Sequence, residues 1–254
     1  MLAFLEFANS LADAAREIIA PLFRTPFAVD AKTDNSPVTI ADRKAEQKMR
    51  EMIMQKYPEH GICGEEFGRY NEDAEYCWVL DPIDGTKSFI AGLPTFGTLI
   101  SLVKNGVPVL GLIDQPINKE RWIGGKGIAS TFNGKLIKTR PCPKLELATI
   151  STTSSYLFTE HEKEKFKKVQ KAARYIIYGY DCYAYAQLAS GFIDVVIESG
   201  LKPHDFCALA AVIENAGGAM TDWEGKPLTL KSDGRVIAAG DRKLHKEILA
   251  MLTD

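Results

Sequence analysis

The hydrophobic pattern changes near Pro143, and that change constrains the fold of this 254-residue chain more than any other feature. Upstream, apolar runs follow one another with only turn signals between them: Glu75 to Leu80, Thr95 to Val103, Val107 to Asp114 and Arg121 to Gly124. Asn105-Gly106 and Pro116-Ile117-Asn118 separate the last three. An Asn-Gly step suits the positive φ of a tight hairpin, so this stretch predicts strands joined by short turns. Downstream, strand-like and helix-like segments alternate. Ala148 to Ser151, Tyr175 to Tyr178, Ile193 to Glu198 and Val236 to Ala239 read as strands. Glu160 to Ala173, Asp181 to Ser190, Asp205 to Ala216 and a terminal stretch from about Arg242 read as helices. Alternation of this kind predicts an α/β (α+β) chain of stacked layers.

The first part of the chain is helical. Leu2, Leu5, Ala8, Leu11, Ala12 and Ala15 recur at helical spacing, and the helix should stop before Pro21 or Pro26. A second helix is expected from about Ile40 to Tyr57, closed by Pro58, after the polar turn cluster Lys32-Thr33-Asp34-Asn35-Ser36-Pro37. No internal repeat or low-complexity linker divides the chain. Two halves, 1–143 and 144–254, are therefore expected to share one fused body around a single cleft.

Trp78-Val79-Leu80-Asp81-Pro82-Ile83-Asp84-Gly85-Thr86-Lys87 carries the chemistry. An apolar strand runs into Asp81, and Pro82 then removes a backbone donor and fixes φ. Two carboxylates three residues apart at a strand end can turn toward one point, with the Ile83 carbonyl between them as a third oxygen. Hard cations such as Mg²⁺ take oxygen ligands of this type. Gly85-Thr86 opens a turn or helix whose free N–H groups suit a phosphate. Read alone, the segment is equally a surface turn, since Asp, Pro and Gly are turn residues. Gly64-Glu65-Glu66, after the β-like run Gly61-Ile62-Cys63, is by itself an ordinary solvated acidic pair. Asp205, after His204, and Asp42, near the start of the second helix, each read in isolation as helix caps.

Taken together these segments resemble the inositol-monophosphatase superfamily over essentially the whole chain. The resemblance rests on Gly64-Glu65-Glu66, on Asp81-Pro82-Ile83-Asp84-Gly85-Thr86, and on Lys202-Pro203-His204-Asp205 with its helix to Ala216-Gly217-Gly218. It implies a layered α-β-α-β-α sandwich and two or three Mg²⁺ ions. Glu65, Asp81, the Ile83 carbonyl, Asp84 and Asp205 match the family's metal ligands, and Asp42 matches a residue that reaches the third ion through water. On this likeness the 1–143 half carries most metal ligands, and the 144–254 half carries Asp205 and the substrate contacts. Many members have Trp where His204 stands, so the wall beside the site differs here.

The resemblance also implies a division of roles. Glu65, Asp81 and Ile83 hold the ion that presents the attacking water, with Thr86, linked to Glu65, orienting it. Asp81, Asp84 and Asp205 hold the ion at the leaving oxygen, and Gly85 and Thr86 N–H groups hold the phosphoryl oxygens. Covalent routes are disfavoured. Asp84-Gly85-Thr86 lacks a second Asp two positions earlier, where Pro82 stands, and no C-x₅-R loop occurs.

Within the superfamily, several segments look like the histidinol-phosphatase branch: Thr86 to Pro94, Phe96 to Ile100, Gly111 to Pro116 and Asp181 to Tyr185. Asp181 and Glu198 match substrate-contacting positions and offer carboxylates to a cationic group; alternatively they are a helix cap and a solvated strand end. Tyr178, Tyr180, Tyr183 and Tyr185 are pocket candidates, with core packing the safer role for most. The expected substrate is L-histidinol phosphate. A broad inositol-1-monophosphatase and a non-catalytic phosphometabolite-binding protein are the alternatives.

Charge and cysteine content narrow the partners. A net charge of -2 provides no field for nucleic acid or an anionic membrane. Glu6, Asp13, Arg16 and Glu17 interrupt any signal-peptide core, and no apolar run reaches the ~20 residues that span a bilayer. Five scattered cysteines contain no C-x-x-C pair and read as reduced thiols. A soluble, cytoplasmic enzyme is expected, and the likeness implies a homodimer.

Overall fold

In a computed structural model of the chain, residues 1–26, 29–31 and 37–253 are described. The polar cluster at 32–36 lies outside them. Helix α1 (Leu2–Ile19) and helix α2 (Ile40–Lys56) flank β1 (Val29–Ala31) and β2 (Pro37–Thr39), which pair with each other. Pro21 sits in a single 3₁₀ turn after α1, as its missing N–H allows. An eight-stranded sheet follows, built from β3 (Gly61–Gly64), β4 (Gly68–Tyr70), β5 (Tyr76–Asp84), β6 (Gly97–Lys104), β7 (Val107–Gln115), β8 (Glu120–Gly125), β9 (Ile128–Phe132) and β10 (Lys135–Leu136). The short helix α3 (Thr86–Ile90) interrupts it after β5. All its pairings are antiparallel except β3 with β5.

The rest alternates as expected: β11 (Thr149–Thr152), α4 (Glu160–Ala172), β12 (Tyr175–Tyr178), α5 (Asp181–Ala189), β13 (Val195–Glu198) and α6 (Pro203–Asn215). Strands β14 (Ala219–Asp222) and β15 (Val236–Ala239) and helix α7 (Arg242–Thr253) complete it. The second sheet has the order β12-β11-β13-β15-β14. Strands β4, β9, β10 and β14 have no counterpart in the sequence reading. They are short, and all four lie at a sheet edge or next to one, where little apolar patterning is required.

Three apolar clusters define five layers. Ala8, Leu11, Ala15, Ala45 and Met49 of α1 and α2 pack on Trp78, Leu80, Ile100 and Leu112, one face of the large sheet. Its other face, through Val79, Leu99 and Ile113, meets α5 and α6 at Ala186, Phe206 and Leu209, together with Val196 and Ala238 of the small sheet. The outer face of that sheet, Ile150, Val195 and Ile237, is covered by Phe166 of α4 and by Leu244 and Ile248 of α7. The result is an α-β-α-β-α sandwich. Each fully buried large apolar side chain contributes about 1.5–3 kcal/mol. Helix α6 lies so close to the large sheet that a Cβ on Gly111 would stand 2.1 Å from the Ala208 carbonyl oxygen. That contact brings the start of α6 to the end of β5.

Candidate active site

Strand β5 does not stop before Asp81, as its apolar run suggested, but continues to Asp84 through an irregularity. Asp81 pairs with Leu99 and Asp84 with Gly97, so three steps on one strand oppose two on the other. In a regular strand, residues three apart face opposite sides. One extra residue reverses the alternation and turns Asp81 and Asp84 to the same side. Packing agrees with this account. Trp78, Leu80 and Ile83 share the α1/α2 cluster, whereas Val79 belongs to the interior one. Pro82 fits here because it has no N–H to pair; its carbonyl accepts from the Thr98 hydroxyl at 2.8 Å. Asp81 Oδ1 accepts the Ile83 amide at 3.0 Å, and the Ile83 carbonyl accepts the Thr86 hydroxyl at 3.1 Å.

Around this turn the acidic residues converge. Asp81, Asp84 and Asp205 each present an oxygen within 4.8 Å of the others. Glu65, Asp81 and His204 form a second such group with ligand atoms within the same 4.8 Å. Glu65 follows β3, whose parallel pairing with β5 sets Gly64 beside Leu80; the Glu65 amide then bonds to the Leu80 carbonyl at 3.1 Å. Asp205 is not an N-cap, since Lys202 holds that position. It stands at the third position of α6, where one oxygen accepts the Lys202 amide at 2.6 Å. Asp42 has the same place in α2. Its Oδ2 accepts from the Thr39 amide (2.9 Å) and hydroxyl (2.5 Å), and its Oδ1 lies 3.5 Å from the Thr86 hydroxyl. The Thr86 hydroxyl is thus set between the Ile83 carbonyl and Asp42.

Burial makes this gathering unfavourable for negative charge. Asp81 is 2% exposed, and burial pushes its carboxyl well above the usual range, reinforced by Glu65, Asp84 and Asp205. Asp84 is raised in the same way, first by burial and then by Asp181 and Asp205. Burial raises Asp205 too, with His204 and the Lys202 hydrogen bond opposing. Buried like charges are stable when a cation neutralises them. A donor set of carboxylate oxygens beside a peptide carbonyl suits a hard divalent ion, and the residues present therefore fit Mg²⁺. His204 was read as part of the wall. Its place in the second group had one sequence signal, adjacency to Asp205.

A cavity of about 220 Å³ adjoins the acidic group, lined by Asp84, Asp181, Tyr185, Glu198 and Asp205 among others. Glu198 is not a solvated strand end: it is 3% exposed and accepts from the Thr153 amide (2.8 Å) and the Tyr185 hydroxyl (3.0 Å). Burial raises its carboxyl to about 7 against those two hydrogen bonds. Asp181 is not a cap either, because Tyr180 precedes α5 as its N-cap. Its φ of 45° lies in the left-handed region, and its Oδ2 accepts the Ser88 hydroxyl at 2.5 Å. Gly85, with φ of 86°, turns the chain beneath it. Among the four tyrosines only Tyr185 is buried against the cavity. Tyr183 bonds Glu120, and Tyr178 and Tyr180 are exposed rather than packed in the core. Among the described residues no helix is long and apolar enough to cross a membrane.

Comparison with known proteins gives one consistent answer. Residues 2–254 match the model of the inositol monophosphatase family. A bifunctional phosphatase, IMPL2, from Arabidopsis thaliana chloroplasts is 52% identical over 98% of this chain and 75% of its own length. The histidinol-phosphatase of Chlorobaculum parvum is 32% identical, covering 92% of this chain and 91% of that protein. Among solved structures, an inositol monophosphatase from Zymomonas mobilis superposes with a TM-score of 0.92 at 48% identity, over 99% of this chain and 98% of that one.

Proposed function

The chain belongs to the inositol monophosphatase family, and from that premise we propose that it is a Mg²⁺-dependent histidinol-phosphatase, hydrolysing L-histidinol phosphate to L-histidinol and phosphate in histidine biosynthesis. One observation carries the substrate assignment. Two carboxylates, Asp181 and Glu198, line the cavity beside the acidic group, where an ester with a cationic organic part would need them. The likeness to histidinol-phosphatases and to a bifunctional relative supports the same reading.

Bound Mg²⁺ supplies positive charge against the ester's oxygens and acidifies an attacking water. In our reading Glu65, Asp81 and the Ile83 carbonyl would hold one ion, and Asp81, Asp84 and Asp205 another, with Asp42 placed to support a third. Thr86, whose hydroxyl spans Ile83 and Asp42, orients the water, and Glu65 helps take up its proton. Gly85 and Thr86 direct their amides at the phosphoryl oxygens from the first turn of α3, where helix N–H groups lack internal partners. Asp181 and Glu198 receive the ammonium and imidazole of the substrate. A cationic amine beside these carboxylates would favour their ionised forms, an attraction that an uncharged polyol lacks.

We assign the enzyme to the cytoplasm, in keeping with five free, buried cysteines, and expect a homodimer. A broad inositol-1-monophosphatase is the second reading, favoured by the likeness to the Zymomonas enzyme. A non-catalytic binding protein would take up Mg²⁺ without turnover. Phosphate release from histidinol phosphate and inositol-1-phosphate, each with Mg²⁺ or EDTA, separates these. A higher kcat/KM on inositol-1-phosphate would reject our assignment, and no Mg²⁺-dependent release from any ester would reject the enzyme.

A further inference from the structure

Ser88 has no part in the metal or phosphoryl contacts, yet it is almost fully buried one turn into α3. Its hydroxyl donates to Asp181 Oδ2 at 2.5 Å, across 93 positions of sequence. Three further observations make that contact specific. Asp181 holds its left-handed φ of 45° without serving as the cap of α5, so its strain is not explained by the helix. The same Oδ2 would lie 2.7 Å from a Cβ placed on Gly85, so the carboxylate rests on the glycine turn as well as on Ser88. Asp181 and Glu198 line one cavity, and Asp181 is the member whose side chain is held from outside its own helix, by Ser88 of α3.

A carboxylate with one oxygen tied down has one rotamer and one oxygen left for a ligand. From this geometry we infer that Ser88 is a specificity-positioning residue. It aims the free oxygen of Asp181 into the cavity, to receive the ammonium group of an amino-alcohol phosphate. The inference rests on the substrate reading above and extends it to a residue outside the binding set. Asp181 makes the ionic contact, and Ser88 decides where that contact is. Without the hydroxyl, Asp181 can swing away from Gly85, and a cationic ester loses its anchor while an uncharged ester loses nothing particular to it.

The test uses the full-length, Mg²⁺-loaded enzyme and two esters, histidinol phosphate and glycerol 2-phosphate. For Ser88→Ala, the ratio of kcat/KM between cationic and neutral ester should fall about tenfold, mostly through KM, the scale of one charge-assisted hydrogen bond. Ser88→Thr, which keeps the hydroxyl, should restore most of the ratio. Asp181→Asn should lower it by a similar factor, and the double variant Ser88→Ala/Asp181→Asn should be no worse than Asp181→Asn alone. Equal losses on both esters, or additive losses in the double variant, would overturn the positioning role. Thermal melts of every variant identify a loss due to misfolding, which would lower both esters together. If the wild-type enzyme itself favours the neutral ester, the substrate reading fails; a wild-type preference for the cationic ester that Ser88→Ala leaves intact sinks only the role of Ser88.

Discussion

The Asp84 carboxylate accepts the backbone amide of Cys182 at 2.6 Å, although the two residues are 98 positions apart. Through this bond the end of β5 serves the open N-terminus of α5, where free amides and the helix dipole favour negative charge. One oxygen of Asp84 is thereby fixed by a helix of the interior layer, and the same carboxylate presents an oxygen within 4.8 Å of Asp81 and Asp205. Asp205 and Asp42 repeat the arrangement, each with one oxygen tied to the start of its own helix. Pre-fixed carboxylates lose little freedom when they take up a cation. A bond to a helix start and the ligand role assigned to each residue are thus compatible properties of the same side chain.

Asp84→Asn separates charge from shape. The amide side chain keeps an oxygen to accept the Cys182 N–H but removes one negative charge from the group. Turnover should fall at least about a hundredfold, as when one electrostatic contact to a reacting centre is lost. The melting temperature in EDTA should hold or rise, because like charges are relieved. Phosphate release and a thermal melt on one preparation check both. Near-normal kcat would remove Asp84 from the site.

Glu46 should act on Mg²⁺ at one remove. It is fully buried on α2, one turn beyond Asp42, and accepts the Glu66 and Phe67 amides at 2.7 and 3.1 Å and Arg50 at 3.1 Å. Those bonds hold the segment that presents Glu65. Glu46→Gln leaves one acceptor oxygen for three donors. Half-saturation for Mg²⁺ should move up about tenfold, the usual scale for partners of metal ligands, with less change in kcat at saturating Mg²⁺. A titration of activity against Mg²⁺ tests this, and an unchanged half-point would make Glu46 structural only.

Legibility from sequence followed the range of the interactions. Helices and long strands were readable because periodicity is local: α2, β7, β12 and β15 stand within a residue or so of their expected bounds. The run 81–86 was readable as a unit because its residue types serve one turn. The reversal of facing at Asp81–Asp84 was not, since it depends on pairing with Leu99 and Gly97. Glu198 and Asp181 were legible as substrate contacts through the family likeness alone, with a strand end and a helix cap as the local alternatives. Glu198 is buried beneath Tyr185 of α5 and Asp181 is tied to Ser88 of α3, and no local pattern reports either contact. Glu46 did leave a trace, as a second carboxylate four residues after Asp42 on a helix face with Ala41, Ala45 and Met49. Ser88 left none.

Gly85→Ala tests the turn. A Cβ there would meet Asp181 Oδ2 at 2.7 Å, and φ of 86° is unfavourable for any side chain. The backbone cost alone is about 1–2 kcal/mol. We expect a lower melting temperature and a larger proportional loss of kcat/KM on histidinol phosphate than on a neutral ester, since Asp181 must move. A stable variant with unchanged preference would separate the turn from Asp181.

Stability of the metal-free protein should fall as pH rises. Folding raises Glu198 from 4.5 to about 7, so the folded chain holds a proton that the unfolded chain releases earlier. Its contribution is complete below the unfolded value, declines across the interval between the two and is lost above about 7. Asp81, Asp84 and Asp205 are raised as well and act in the same direction. In EDTA the melting temperature should therefore drop between about pH 5 and about pH 8. Glu198→Gln cannot ionise and should flatten part of the slope. Excess Mg²⁺ should recover most of the loss at the alkaline end, because the ion binds the ionised carboxylates of the folded state and not the dispersed ones of the unfolded chain. A melting temperature in EDTA that climbed with pH would mean these carboxylates are stabilised as anions by the protein itself, and the need for a cation at this site would disappear.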